Sequence, residues 1–462
     1  MVLPSFKLLA RASAVNAWRP PRRDEFPARQ VRRAALCYGN MRAVFDRLEQ
    51  FAVDVILERR YGKRAALLRV VLLLLSHLYA QIMRLRLWVY EERLARPRPV
   101  GCLVISIGNL TVGGTGKTPV VEKFARALSA RGRSVAVLSR GYKSKSAPWL
   151  ERVRRRIGVA LGELAPPPRV VSDGKRVLLD ATRAGDEPVM LASNLPGVRV
   201  LVDKDRVKSA LYAMDRWGID TLLLDDGFQY LPLKQRVDVV LIDRQAPFGN
   251  EYLLPRGTLR EPPGHLKRAD VIFITKCHGR DNATLKERIR QHNRHAEIIE
   301  CRHVPLYCQN VYTEERLPLE FLNERRIAAI SGIAQPDSFE SFLRTLGAEI
   351  VHARQYADHH RYSKGEILSM LAKSRRLRAK AILTTEKDAV RLPPLDPEQL
   401  PVPILFLRVE VRAIGGEAAF ERVVDRICAG AEGRHPAVAI AQHAQSPESH
   451  SLTAVRDEEC PG

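Results

Sequence analysis

The sequence predicts an α/β protein, a parallel sheet with helices on both faces. A smaller α/β unit follows it and a membrane-associated helix precedes it. Three observations carry this. From Pro99 onward, apolar runs of strand length alternate with stretches of helical periodicity. A strand, a glycine-rich turn and a helix follow one another between Cys102 and Gly132. Upstream, the uncharged run Val70 to Met83 is flanked by Arg69, Arg84 and Arg86.

The chain has 462 residues, 45% hydrophobic and 27% charged, which excludes a disordered chain and a multi-span membrane protein. Its 75 Lys and Arg against 52 Asp and Glu leave a formal charge of +23, which favours an anionic partner. About half of the positive excess lies in the N-terminal hundred residues, and basic residues are not interleaved with stacking aromatics through the α/β body, which argues against nucleic acid. Seven scattered cysteines form no CxxC pair and no disulfide framework.

Residues 1–40, rich in Arg, Pro and Ala, read as a disordered basic extension. Asp24, Glu25 and the lack of a long apolar stretch argue against a targeting peptide. Residues 41–98 read as N-terminal helices, with Val44, Leu48, Phe51, Val55 and Ile56 at helical spacing. The run Val70 to Met83 is short for a bilayer span. Its basic flanks, with Trp88 and Tyr90 beyond, suit a helix lying in an anionic membrane face; the alternative is a buried core helix.

Residues 99–305 read as the main domain. "CLVISIG", "SVAVLSRGY", "VRVLVDKDR", "TLLLDDGF", "VDVVLIDR" and "DVIFITK" are continuous apolar runs, as strands buried on both faces should be. In "VVEKFARALSARG", Val120, Phe124, Ala125 and Leu128 share one helical face, and Gly132 stops the helix. Residues 306–430 restart the pattern: strands at "RIAAISGI", "EIVHARQY" and "AILTTEKD", helices at "PDSFESFLRTLG" and "KGEILSMLAKSRRLRA". Residues 431–462 read as a disordered tail.

The turn between the first strand and helix is "TVGGTGKT": Thr111, Val112, Gly113, Gly114, Thr115, Gly116, Lys117 and Thr118. It follows the phosphate-cradle pattern G-x-x-x-x-G-K-[ST] except that Thr111 stands at the first glycine. Backbone amides at the glycines and the helix N-terminus favour a phosphate anion. Lys117 supplies a point charge for the β- and γ-phosphates, and Thr118 a hydroxyl for Mg²⁺. The main domain is therefore P-loop NTPase-like. A nucleotide–metal site also needs a carboxylate at a neighbouring strand end, and "LLLDDGF" offers Asp225 or Asp226. Further charges stand in "GDEP" (Asp186, Glu187), "RGY" (Arg140), "DKDR" (Lys204, Arg206) and "LREP" (Arg260, Glu261), none specific alone.

Together, "SIGNLTVGGTGKTPVVE", "LSRGYKSK", "AGDEPVMLA", "DDGFQ", "FGNEYLLPRGTLREP", "SGIAQPDSF", "DHHRYS" and "TTEKDAVRL" resemble, in order, the tetraacyldisaccharide 4′-kinase family. The resemblance covers about residues 41 to 425, and Thr111 at the loop entrance is that family's own form. It implies transfer of the γ-phosphate of ATP to the 4′-hydroxyl of an acylated glucosamine disaccharide 1-phosphate, in lipid A biosynthesis. It implies ATP and Mg²⁺ as cofactors, with Thr118, Asp225, Asp226 and Glu261 on the metal side. Asp186 matches the family's catalytic aspartate and His359 of "DHH" the histidine that supports it, with Lys117, Arg206 and Glu187 as further catalytic positions. It implies residence at an anionic membrane surface, the cytoplasmic face of the inner membrane, held by the N-terminal helix. The sequence indicates no particular protein partner. One departure is Tyr230, where the family pattern after "DDGFQ" has His. Rival readings are a P-loop ATPase or GTPase switch or metallochaperone without a lipid substrate, and a nucleic-acid ATPase.

Overall fold

The computed structural model describes residues 47, 48, 50–141, 154, 166–277, 279, 281–333 and 335–432. The expected basic extension, the helical onset at Met41, the "LSRGYKSK" stretch beyond Gly141 and the tail from 433 on lie outside these residues.

The first long element is α1 (Lys63–Glu91), 29 residues without Gly or Pro and rich in Leu, Ala and Arg. It is longer than the uncharged run, so Arg69, Arg84 and Arg86 sit within it, and it is long and apolar enough to cross a membrane by length and composition. One face is anchored: Ala65, Leu72, Ser76, Ala80, Met83 and Leu87 are buried. Ser76 Oγ donates to the Leu253 carbonyl (2.8 Å) and accepts from the Arg256 amide (2.9 Å). Tyr79 donates to the Arg260 carbonyl (2.8 Å) and Arg86 to that of Gln229 (2.8 Å). The other face exposes Leu67, Val70, Leu74, Leu78, Ile82 and Leu85. The helix is thus neither a fully buried core helix nor free of the body.

The elements that follow are β1 (Leu103–Asn109), α2 (Lys117–Ala130), β2 (Val135–Ser139), β3 (Arg169–Asp173), α3 (Ala181–Ala184), α4 (Asp186–Asn194), β4 (Arg199–Val202), α5 (Arg206–Trp217), β5 (Thr221–Asp225), β6 (Val237–Asp243), β7 (Val271–Thr275) and α6 (Ala283–His292). The chain then forms β8 (Glu297–Asn310), β9 (Arg316–Leu317), β10 (Arg326–Ser331), α7 (Pro336–Thr345), β11 (Glu349–Gln355), α8 (Lys364–Arg376), β12 (Ala381–Thr385), α9 (Glu386–Ala389), β13 (Ile404–Ala413) and α10 (Ala418–Glu432).

Strand order is β11-β10-β12-β13-β8-β7-β6-β1-β5-β2-β4-β3, with β9 paired to β8. Pairing is mostly parallel, as the continuous apolar runs predict. The exceptions are β3 against β4 and β8 against both β13 and β9. Strand β1 lies between β5 and β6, so the glycine-rich turn leaves the sheet where successive strands diverge, the usual place for a ligand crevice.

The predicted boundary at 305/306 falls inside β8. The first part of β8 pairs with β7 from Glu297 to Glu300; from Cys301 to Asn310 it pairs with β13. Helix α10 also returns to the strands around β1. Phe420, Val423, Val424 and Ile427 of α10 share a core with Phe124, Leu128 and Phe273. Phe124 packs edge-to-face on Phe420 at 5.1 Å, and Arg131 pairs with Glu421 and Asp425.

Candidate active site

The site grows from two strand ends. Parallel pairing sets Ile107 of β1 opposite Asp225 of β5, so the loop from Thr111 to Thr118 starts beside the "DDGF" turn. Gly108 lets that turn approach: a Cβ there would lie 2.6 Å from Phe228 Cβ. Gly116 enters α2 in a left-handed conformation (φ 79°), and a Cβ there would meet His303 Nε2 at 2.9 Å. Strand β8 therefore packs His303 against the loop. Pro119 occupies the first turn of α2, where an amide donor is not needed.

Lys117 Nζ lies 3.2 Å from Asn109 Oδ1 and 3.4 Å from Asp226 Oδ1. Asn109 Nδ2 donates to Thr115 Oγ1 (3.1 Å), bracing the loop internally. Arg260 Nη1 reaches both oxygens of Asp226 at 2.8 Å. Burial alone would raise the Asp226 pKa, but Lys117 and Arg260 outweigh it and hold the carboxyl well below the usual range. Asp226 also adopts φ 54°, a left-handed conformation uncommon outside glycine.

Asp225 behaves oppositely. Burial, then the nearby charges of Glu187 and Asp226, push its pKa up to about 7. Ser139 donates to Oδ2 (3.0 Å), while Oδ1 is buried without a hydrogen-bond partner. Two adjacent carboxylates thus split: one is neutralised by cations already present, and the other keeps an unsatisfied oxygen.

Arg206 is 5% exposed and stacks on the Tyr230 ring at 4.8 Å. Tyr230 OH accepts from the Arg206 amide (3.0 Å) and contacts Asp205 Oδ1 (3.3 Å), the N-cap of α5. Tyrosine here therefore seats Arg206 by ring stacking and a hydroxyl contact.

Asp186 begins α4 behind Gly185 and is buried. His359 reaches it from the turn after β11, with Nδ1 2.9 Å from Asp186 Oδ2, in a left-handed conformation of φ 65°. Arg391 Nε donates to the same oxygen at 2.8 Å. Burial opposes ionisation of Asp186, yet the His359 hydrogen bond and the Arg391 charge lower its pKa overall. Lys387 Nζ lies 3.3 Å from His359 Nε2 and 3.6 Å from Glu187. His360 instead contacts Glu366 at 3.1 Å and stacks on Tyr356.

Of the residues singled out from sequence, Lys117, Asp225, Asp226, Arg206 and the loop converge, and Asp186, Glu187 and His359 form a second group. Glu187 and Lys117 both act on Asp225, which ties the two groups together. Glu261 stands apart. Its Oε2 accepts from His265 Nδ1 (2.8 Å) and Arg268 (2.7 Å), and no hydrogen bond or ion pair among the described residues joins it to Thr118, Asp225 or Asp226. Its sequence neighbour Arg260 makes the contact instead. Sequence reasoning passed over Asn109, Ser139, Lys387 and Arg391. Asn109 lies within a quoted motif, and Lys387 and Arg391 in "TTEKDAVRL", so the signal was present without a role attached.

A parallel sheet with a glycine-rich loop after its central strand, a lysine inside that loop and an orphaned carboxylate oxygen beside it defines a P-loop phosphotransferase. The comparisons narrow this. Residues 68–429 match the family model described as tetraacyldisaccharide-1-P 4′-kinase, and the chain belongs to that family. It is a kinase of lipid A biosynthesis that transfers phosphate to the 4′-hydroxyl of the disaccharide. A tetraacyldisaccharide 4′-kinase of Geobacter metallireducens is 41% identical over 332 residues, covering 71% of this chain and 90% of the relative. One from Syntrophus aciditrophicus is 38% identical over 346 residues, covering 72% and 86%. The crystal structure of "apo" form LpxK from Aquifex aeolicus in complex with ATP superposes with a TM-score of 0.59 at 27% identity. It covers 78% of this chain and 99% of that one.

Proposed function

We propose that ATP binds along residues 111–118, with Lys117 on the β- and γ-phosphates, and that Asp186 aligns the 4′-hydroxyl of a tetraacylated glucosamine disaccharide 1-phosphate against the γ-phosphorus. The observation that carries this reading is the contact of His359 and Arg391 with Asp186 Oδ2, which leaves Oδ1 without a hydrogen-bond partner among the described residues. A carboxylate held ionised, with one oxygen occupied and one available, can accept the hydroxyl proton or fix its direction as the bond to phosphorus forms. Lys117 and Arg206 offset charge on the transferring group, and Glu187 stands beside Asp186 within reach of Lys387.

The donor set fits Mg²⁺. Asp225 Oδ1 is buried and unsatisfied, and Thr118 stands at the head of α2. Among the described residues no group of three or more His, Cys, Asp and Glu forms a protein-only metal cage, as suits an ion held by one or two protein oxygens plus phosphate. Asp225 and Thr118 would hold it; Asp226, matched by Lys117 and Arg260, would sit behind. When bound, the ion would supply charge neutralisation for the transferring phosphate.

The exposed apolar face of α1, on a chain of charge +23, supports docking on an anionic membrane, where an acylated acceptor resides. We place the enzyme at the cytoplasmic face of the inner membrane, peripheral or monotopic. The test is phosphorylation of tetraacyldisaccharide 1-phosphate by purified protein with ATP and Mg²⁺. No product from folded, ATP-binding protein overturns the proposed substrate, and normal turnover by Asp186→Ala overturns the role given to Asp186.

A further inference from the structure

We propose that Arg391 is a positioning residue for phosphoryl transfer: it carries the orientation of the β10–β12 end of the sheet into the Asp186 carboxylate, so that Asp186 is correctly set only while that end is held against α4. This rests on the catalytic reading of Asp186 given above.

Arg391 is fully buried, and three directions of its guanidinium are occupied. Nε donates to Asp186 Oδ2 at 2.8 Å; Nη1 donates to the Gly332 carbonyl (3.0 Å) and to Asp388 Oδ1 (2.9 Å). Nη2 lies 3.2 Å from His359 Nδ1. Asp388 is itself fixed from several sides. Its Oδ2 accepts from the Gly332 amide (3.0 Å) and Thr385 Oγ1 (2.7 Å), and its Oδ1 accepts from Tyr362 OH (3.1 Å). A side chain at Gly332 would have its Cβ 2.9 Å from Tyr362 OH, so the glycine keeps this cluster closed. The guanidinium is therefore rigid with respect to β10, β12 and α9, and its planar fork transmits that orientation.

Its target lies elsewhere. Asp186 opens α4, which packs on β3, β4 and α2 and also meets α9. The Arg391–Asp186 bond joins the α9 side of this contact to α4, and it falls on the same oxygen as the His359–Asp186 bond. Two fixed donors on one oxygen leave the carboxylate little rotational freedom, so the direction of Oδ1 is set by Arg391 and His359. His359 alone, a single contact on a residue with φ 65°, gives one such restraint; Arg391 gives the second and anchors it to a buried acid. Lysine could reach Asp186 or Asp388 with one charge but could not span both in a fixed plane.

The experiment uses the full chain, ATP–Mg²⁺ and tetraacyldisaccharide 1-phosphate in detergent mixed micelles, with Arg391→Met, Arg391→Lys, Asp186→Asn and the double variant Asp186→Asn/Arg391→Met. Arg391→Met and Arg391→Lys should each lower kcat by about tenfold to a hundredfold, while KM for ATP changes less than about threefold. The double variant should be no slower than Asp186→Asn alone, because Arg391 acts through that carboxylate. Wild-type kcat in Arg391→Lys overturns the proposal, as does a multiplicative loss in the double variant. So does a parallel loss of ATP affinity and kcat, the signature of a merely structural arginine. If Arg391→Met does not fold, the same comparisons are made with Arg391→Lys, whose charge keeps Asp388 paired. Near-normal turnover by Asp186→Asn would instead remove the catalytic reading of Asp186.

Discussion

Replacing Leu74 and Leu78 together by glutamine tests the outward face of α1. Their side chains are 66% and 59% exposed in the folded protein. Fully burying a leucine side chain is worth about 1.5–3 kcal/mol, so each exposed portion gains about 1–2 kcal/mol on entering the acyl boundary. Removing both should cost about 2–4 kcal/mol of membrane affinity, or roughly 30- to 1,000-fold in partition coefficient. Glutamine is a good helix former, and surface changes of this kind shift folding stability by only about 0.5 kcal/mol. The assay is co-sedimentation with phosphatidylglycerol–phosphatidylethanolamine vesicles, alongside a thermal melt. Leu72→Gln serves as the contrast: Leu72 is 2% exposed on the inward face, so this change should lower Tm. A double variant with unchanged melt and unchanged vesicle partition would refute the reasoning that this face meets the bilayer.

Lys117→Ala should lower turnover by at least about a hundredfold, since it removes the loop's cation and leaves Asp226 to Arg260 alone; steady-state kinetics with saturating ATP check this. Tyr230→Phe keeps the ring under Arg206 but loses the hydroxyl contacts to the Arg206 amide and Asp205. A Tm loss corresponding to about 1 kcal/mol is expected, with turnover within about tenfold of the parent. Asp238→Asn should stabilise the protein in a pH-dependent way. Burial, with Asp270 and Glu261 nearby, pushes the Asp238 pKa up to about 7, against about 3.9 for an unfolded aspartate. Below the unfolded value both states are protonated and the variant gains nothing. As pH rises towards 7 the unfolded chain sheds its proton first and the parent loses stability, so the gain grows and levels off above 7, at a few kcal/mol on the order of one 1.36 kcal/mol step per pKa unit. Urea melts at pH 4 and pH 8 should differ accordingly; equal gains at both would refute it.

The parts of the fold set by local chemistry were legible. Continuous apolar runs name β1, β2 and β4 to β7 because a strand covered on both faces has no room for polar alternation. The loop at 111–118 is legible because its backbone conformation needs glycine at fixed offsets. Strand β8 was not read as one element: "EIIECRHVPLYCQN" mixes polar and apolar residues, since it changes partners after Glu300 and is only partly covered. Helix α10 was missed because its apolar positions are explained only by α2 and Phe273, distant in sequence. Within the site, Asp225 and Asp226 are indistinguishable by spacing. What separates them is Arg260, 34 residues from Asp226 and brought beside it by tertiary structure. Glu261 shows the reverse: its motif pointed to the metal, yet His265, one helical turn onward, and Arg268 claim its carboxylate. Arg391 lies within a quoted motif but carries no role there, because an arginine after a short helix reads as solvated until its burial is seen.

The shared strand β8 bears on how this protein can be divided. A cut at residue 305 would divide β8, take Cys301 to Val304 away from their β13 pairing, and strip α2 of the aromatic cover that Phe420 provides. The core that Phe420, Val423, Val424 and Ile427 share with Phe124, Leu128 and Phe273 would be divided, and each fragment would offer unpaired backbone to its neighbours in solution. Gene fusions, split reporters or chimaeras built from this chain therefore should not place a junction inside β8 or separate α10 from α2.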